Sequence, residues 1–466
     1  MTSGMCPGST RSQQIKTDAV SRARIARRPR IGRWRGWRAL LPGLWIAPLA
    51  LAAVVHAADD MPLPSPLSLQ DALAFARPDL PALELALAQR DASAAQLAEA
   101  ESLSGVRLDA IGRLRAVRPA YVSDDRDEND SSARLALRKR LYDFGYSAAR
   151  EEAARLAGDG SEWRYLDARQ QAHLEIMQRF YDVILADLQF SRDNEAMAGA
   201  FIAADRARDR HELQRLSDVD LLKLESEYQE ALRQRMHSQA LQRITRSRLA
   251  IAMGRPSQLA PDLLRPDGPD LKAELPDYED MLAGALQNSP ELKALRAEVD
   301  AARAAVEAAR NGHGPVLSGE LDASVYNRTT SSTHPLGAAL VLEVPLLTGG
   351  AKDAAIAAAQ AQLRARSAEL AVAEQDLRQR VLDLRLRLDN LRIQLDGLKV
   401  RSDYRELYLD RSRALYELEV KTDLGDAMTE ITAVTLDVAR AEFDWMMTRA
   451  RLAALSGRLL PEEQQQ

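Results

Sequence analysis

Residues 336–370 read LGAALVLEVPLLTGGAKDAAIAAAQAQLRARSAEL. The first eleven alternate, placing Leu336, Ala338, Leu340, Leu342, Val344 and Leu346 on one face, which is the period of a strand. Past Gly349-Gly350 the pattern becomes a run of Ala, Gln, Arg, Glu and Leu, residues that favour helix. From Ala351 to Leu418 there is no proline and one glycine, Gly397. At ~1.5 Å per residue that is roughly 100 Å of helix, far beyond the usual globular length. Leucines at 363, 370, 377, 384, 391 and 398 keep a seven-residue spacing, joined by Val381, Leu388 and Leu395. Such a seam predicts left-handed coiled-coil packing and a structural role, not a ligand groove. Leu382, Leu386 and Ile393 widen the apolar surface towards more than one neighbour.

The same order of elements occurs earlier in the chain. Asp71-Ala72-Leu73 and Pro81 match Asp280-Met281-Leu282 and Pro290 at a spacing of 209. Leu135-x-Leu137-x3-Leu141-x3-Gly145 matches Leu340-x-Leu342-x3-Leu346-x3-Gly350 at 205, as Glu212-Leu213 and Asp218 match Glu417-Leu418 and Asp423. Gly254-Arg255 matches Gly457-Arg458 at 203. Ordered matches that preserve glycines and prolines mark an internal duplication. Each half is expected to begin with one helix of about 35 residues, Ser68–Ser104 and Asp277–Arg310, with Ser68 as a cap. A strand hairpin follows. Its strands are Val106–Ala116 and Ala133–Leu141 in the first half, Leu317–Tyr326 and Leu336–Leu346 in the second, around the polar loops 123–132 and 327–335. Then comes a long helix, Ser161–Leu216 or Ala351–Leu418, and a shorter return helix, Val219–Met253 or Leu424–Ser456. Ser217 is suited to cap the first return helix, with Asp220 three residues on.

The predicted organisation is therefore a first repeat over 58–256, a proline-marked linker over 257–276, a second repeat over 277–459 and a polar tail over 460–466. Residues 1–57 read as a secretory signal. Eight arginines lie in 22–38, an apolar run spans Ala39–Val55, and small residues sit at Val55 and Ala57. The only cysteine, Cys6, precedes that run, so neither an acyl anchor nor a disulfide is expected in the exported chain. Ten of the basic residues and one acid lie in 1–57, so the remainder carries −14 where the whole chain carries −5. Nucleic acid is a poor partner for such a chain. Aromatic residues make up 5% of the chain, which favours long Ala/Leu-packed helices over a large compact core.

Each hairpin has one apolar and one polar face, the pattern of a transmembrane β-barrel strand. Leu317, Leu321, Leu340 and Leu342 are expected to face lipid, and Glu320, Asp322 and Glu343 the lumen. Four strands cannot close a barrel alone, so the same pattern also fits a hairpin lying on a helical core with one wet face. Enzymatic chemistry is not indicated. The six histidines are scattered, no HExxH or Walker spacing occurs, and the abundant carboxylates fit helical ion pairing. No catalytic residue, cofactor or metal is expected.

Residues 340–370 resemble the strand-to-helix segment of TolC-like outer membrane factors, in which a strand ends in Pro-Leu and a glycine opens the long helix. Pro345, Leu346 and Gly350 stand on those positions, with Gly145 the counterpart of Gly350. Residues 416–428, YELEVKTDLGDAM, resemble the family's tip turn. Tyr416 and Thr422 match it, whereas Glu419, and Gln214 in the first half, replace its glycine. The resemblance covers essentially the whole exported chain. It implies a mainly α fold with a small β part, a homotrimer closing one twelve-stranded barrel in outer membrane lipid, and a helical tunnel crossing the periplasm. It further implies a passive duct working with a periplasmic membrane-fusion adaptor and an inner-membrane pump, in efflux or type I secretion. The two helical turns would form the periplasmic entrance. Asp220 matches a constriction-lining position, Tyr416 and Lys421 match positions that hold the entrance shut, and Ser217, Asp218, Thr422, Asp423 and Asp426 lie beside them. A periplasmic coiled-coil scaffold or adaptor that never enters a membrane is the competing reading.

Overall fold

A computed structural model of the chain describes residues 63–118, 127–271, 275–328, 333–418, 420 and 424–460. The expected signal, residues 1–57, and most of the tail lie outside the described residues, as do Glu419, Lys421, Thr422 and Asp423. The elements run α1 (Leu69–Leu73), α2 (Pro81–Ser102), β1 (Val106–Arg113), β2 (Ser132–Tyr142), α3 (Tyr146–Glu212) and α4 (Asp218–Ala252). The second half continues with α5 (Tyr278–Asn288), α6 (Pro290–Asn311), β3 (Val316–Tyr326), β4 (Leu336–Glu343), α7 (Ala351–Glu417) and α8 (Leu424–Leu455). The fold is mainly helical with four antiparallel strands in a repeated long-helix and hairpin arrangement.

Three expectations are corrected. The opening helix of each half is two helices, because Pro81 and Pro290 start a new one. Proline lacks the N–H that a helix interior needs but suits a first position, and both prolines stand there. Ser289 Oγ also accepts from Leu292 N and caps α6. The first long helix begins at Tyr146 rather than near Ser161, so α3 and α7 are both 67 residues long. Gly158 and Gly160 do not break it. Gly160 is buried, and a Cβ there would lie 3.3 Å from the Ala294 carbonyl oxygen, so this glycine lets α3 and α6 approach closely. Finally, β1 ends at Arg113 and β4 at Glu343, each a few residues short of the predicted end.

The core lies along the long helices. Phe180, Tyr181, Ile176, Leu249 and Phe443 form one cluster, with Tyr181 stacked on Phe443 at 4.5 Å. Burial pushes the Tyr181 hydroxyl up to about 12. The α7 seam divides in two: Leu377 and Val381 pack with Met281, Leu282 and Leu292, whereas Leu388, Leu391 and Leu395 pack with Ala441 and Trp445. Charged ties add register. Arg246 on α4 holds Asp187 on α3 through two bonds of 2.8 and 2.9 Å. Glu298 on α6 is gripped by Arg164 on α3 and, at 3.3 Å, by Arg366 on α7. No described helix is long and apolar enough to cross a membrane.

Candidate functional site: the strand sheet and the helical tips

The sheet order is β1-β2-β3-β4, so the two hairpins join through β2 and β3 while β1 and β4 are paired on one side only. Directly opposed residues share a face. Leu108 faces Leu137, Leu137 faces Leu321 and Leu321 faces Ala338; Leu317 faces Leu342, and Gly319 faces Leu340. The register thus gathers the alternating apolar residues of both hairpins onto one continuous face. Leu317, Leu321, Leu340 and Leu342 all lie on it.

One basic residue departs from that pattern. Lys139 opposes Val106 and Gly319 on the apolar face, towards the end where β2 runs into α3. Its four-carbon stem can carry the ammonium towards that rim. Tyr142 and Phe144 lie at the same end, edge to face at 4.7 Å and both exposed. An amphipathic ring such as that of Tyr142 suits a membrane–water boundary.

The opposite face is charged. Arg138 pairs with Glu320 at 3.3 Å and Arg134 with Asp322 at 3.5 Å, both across the β2–β3 junction. Glu343 lies on this face too, exposed at the β4 edge.

The strands pass to the long helices through glycines that the repeat aligns. Gly145 and Gly350 precede α3 and α7 with φ of 91° and 83°, a left-handed conformation that glycine adopts without a Cβ penalty. Asp143 closes the first transition, accepting from Ser147 N at 2.9 Å and from Arg140 at 3.1 Å. Pro345 and Leu346 follow β4, and Leu346 is 90% exposed.

All four long and return helices finish in one motif, the long ones at the tips and the return ones beside the starts of α2 and α6. The amide two residues past the helix cap bonds back to a carbonyl in the last turn. These bonds are Arg215 N to Arg210 O, Arg255 N to Ala250 O, Val420 N to Leu415 O and Arg458 N to Ala453 O, at 2.8–3.0 Å. The motif needs a left-handed residue just before that amide. The return helices supply Gly254 and Gly457, with φ of 72° and 68°. The first tip supplies Gln214 at φ 53°, the only non-glycine residue besides Phe144 with positive φ among the described residues.

Ser217 caps α4, with Asp220 N donating to its hydroxyl at 3.1 Å, and the hydroxyl donates to the Asp220 carboxylate at 2.7 Å. Asp218 is bonded across the turn to His211 Nε2 at 2.7 Å, a contact that sequence reading missed. Its only signal was the seven-residue spacing across a predicted turn. Tyr416 is 46% exposed in the last turn of α7, and Asp426 is exposed in the first turn of α8. No hydrogen bond among the described residues joins Tyr416 to the first tip. No cluster of His, Cys, Asp or Glu able to hold a metal ion occurs among the described residues.

Comparison with known proteins now bears on this arrangement. Residues 281–458, which span most of the second repeat, match the family model described as Outer membrane efflux protein. No curated protein matches the chain. Among solved structures, a membrane protein from Pseudomonas aeruginosa superposes with a TM-score of 0.69 at 17% identity, covering 84% of this chain and 92% of that one. CusC, described in work on folding and transmembrane channel formation, gives 0.67 at 16% identity over 83% and 91%. The Campylobacter jejuni CmeC outer membrane channel gives 0.67 at 13% identity over 84% and 86%. Those structures share the fold over both repeats, and the family match lies within the second. The second repeat thus carries the Outer membrane efflux protein match, and the fold of the whole is similar to that of solved outer membrane channels.

Proposed function

We propose that three copies of this chain form the exit duct of a tripartite efflux or type I secretion assembly. In this reading the four strands of each copy close one twelve-stranded barrel in the outer membrane. The helices continue as a tunnel into the periplasm, and the tips meet an adaptor fed by an inner-membrane pump. The chain reaches its place through the signal in residues 1–57 and without a lipid anchor. The single observation that carries this is the sheet: one face apolar across all four strands but for Lys139, the other charged, and both outer edges unpaired. Lipid cannot tolerate an open edge, so such a sheet must be completed by other copies.

The tips act as the periplasmic entrance. Sixfold convergence of turns would bring Asp220 and Asp426 of each copy near one axis and raise a negative potential that favours cations. Ser217 and Asp218 shape the first turn, and Tyr416 stands in the last turn of α7 before the second.

The test is reconstitution of the exported chain in planar bilayers after extraction from outer membranes. A trimer with heat-modifiable gel mobility and discrete single-channel conductance is expected. A protein that stays periplasmic and water-soluble, without conductance, would favour the scaffold reading instead.

A further inference from the structure

The charged face of the sheet is divided by hairpin. On the first hairpin it carries Arg107, Arg113, Arg134, Arg138 and Arg140 against one acid, Asp109. On the second it carries Glu320, Asp322 and Glu343 and no base. Where the hairpins meet inside one copy, the division is used: Arg134 and Arg138 bind Asp322 and Glu320. Around a closed ring of copies an acidic hairpin would meet a basic one again, at the seam between β4 and the next β1.

We infer that this division is a recognition code for a second copy of the chain, in which Glu343 on the β4 edge binds Arg107 on the neighbouring β1 edge. The inference rests on the trimeric barrel proposed above. Both edge strands are eight residues long. Antiparallel pairing that keeps the apolar rows together allows only every second register. Of the two that overlap the strands most, one sets Glu343 opposite Arg107. The other sets it opposite Gly105, which leaves Arg107 its diagonal neighbour. Cross-strand charge pairs act over both distances. Arg107 already holds Asp109 at 3.1 Å and has donors to spare, since a guanidinium carries five. Glu343 is exposed and has no hydrogen bond or ion pair among the described residues. The pairing also orients the seam, because two β1 edges would oppose base to base.

The test compares trimer yield in outer membranes for the full chain, Glu343→Arg, Arg107→Glu and the combined exchange. With one like-charge contact at each of three seams, either single reversal should lower the trimer about tenfold, and the exchange should restore most of it. A second measurement uses Arg107→Cys with Glu343→Cys, the native Cys6 replaced by Ser, and a short thiol cross-linker that spans opposite or diagonal positions. Covalent trimers after boiling support the pairing, and they carry the test if the charge variants fail to reach the membrane. Normal trimer yield from Glu343→Arg, or only monomers after cross-linking, overturns the inference and leaves the trimeric barrel standing. An unmodified chain that forms no trimer removes the barrel reading itself.

Discussion

Replacing Leu321 by arginine puts the barrel assignment to its hardest test. Leu321 is the middle residue of the eleven in β3, opposed by Leu137 on one side and Ala338 on the other. At ~3.3 Å per residue and a tilt of ~40°, five residues to either side span about 13 Å of depth each. A lipid-facing band ~25 Å tall would therefore be centred on Leu321. In the single chain this side chain is 54% exposed although apolar, as a lipid-facing position requires. An arginine at the midplane costs about 2–4 kcal/mol per copy, hence roughly 6–12 kcal/mol for a trimer. Leu317, four residues nearer the helices, should tolerate arginine at about 0–1 kcal/mol per copy. Glu320 is next in sequence but on the opposite face, paired with Arg138. Glu320→Gln should cost about 0.2–1 kcal/mol, as for other half-exposed ion pairs. The assay is recovery of heat-modifiable trimer from outer membranes, followed by urea unfolding in lipid. The order Leu321→Arg far worse than Leu317→Arg, with Glu320→Gln mildest, is expected. Equal assembly of Leu321→Arg and Glu320→Gln would refute the lipid-facing assignment.

At the first tip, Gln214→Gly should stabilise the turn by about 0.5–1 kcal/mol, since φ 53° penalises a side chain and glycine's extra unfolded entropy offsets only part of that. Slower amide exchange at Arg215 would register the gain; faster exchange would show that the Gln214 side chain holds the turn. His173 and Asp167 on α3 should give opposite pH dependences. Burial lowers the His173 pKa against a hydrogen bond that its ring donates to the Arg169 carbonyl, so the folded ring takes up a proton less readily than the unfolded one. Stability is then lost as pH falls through about 6.5, where the unfolded ring takes up a proton, and His173→Gln should flatten that loss. Burial, then repulsion from Glu291, raises the Asp167 pKa, so the folded state binds that proton more tightly than the unfolded chain does. Asp167→Asn should therefore raise stability at pH 7 and reduce the gain on acidification towards 4; thermal melts across pH 4–8 decide both. For the entrance, Asp220→Asn should lower cation preference in single-channel recordings and Tyr416→Phe should widen the resting conductance. Unchanged selectivity and conductance in both would leave Asp220 and Ser217 with only their helix-capping bonds.

What the sequence made legible, and what it hid, follows from the range of the forces involved. Strand faces and the α7 seam are periodic, and periodicity survives in the string of residues whatever the partner; Leu321 and Leu388 could be assigned from spacing alone. Tertiary approach is different. Gly160 reads locally as a helix weakener worth about 1 kcal/mol, yet it lies inside 67 continuous helical residues. Its missing Cβ faces the backbone of α6, information that sits 134 positions away at Ala294. Pro81 and Pro290 were visible as a repeated pair, but only their position at a helix start shows that each half opens with two helices. The apolar-face position of Lys139 shows the same limit from the other side, since alternation marks its face but not its depth.

The helix ends join these two kinds of information. Gly254 and Gly457 were legible as aligned glycines, and the structure gives the reason: each sits left-handed before a bond from the following arginine amide. Gln214 occupies the corresponding place at the end of α3 and bears a conformational cost that Gly254 and Gly457 avoid. Strain of this kind persists only where surrounding contacts over-determine it. Here those contacts are the Arg215–Arg210 backbone bond, the His211–Asp218 bond and the Ser217 cap, all between Arg210 and Asp220. A tip held by short polar contacts instead of glycine can be altered by changing one of them while the two packed helices behind it remain intact. That separation is what allows entrance behaviour to be tested apart from the stability of the duct.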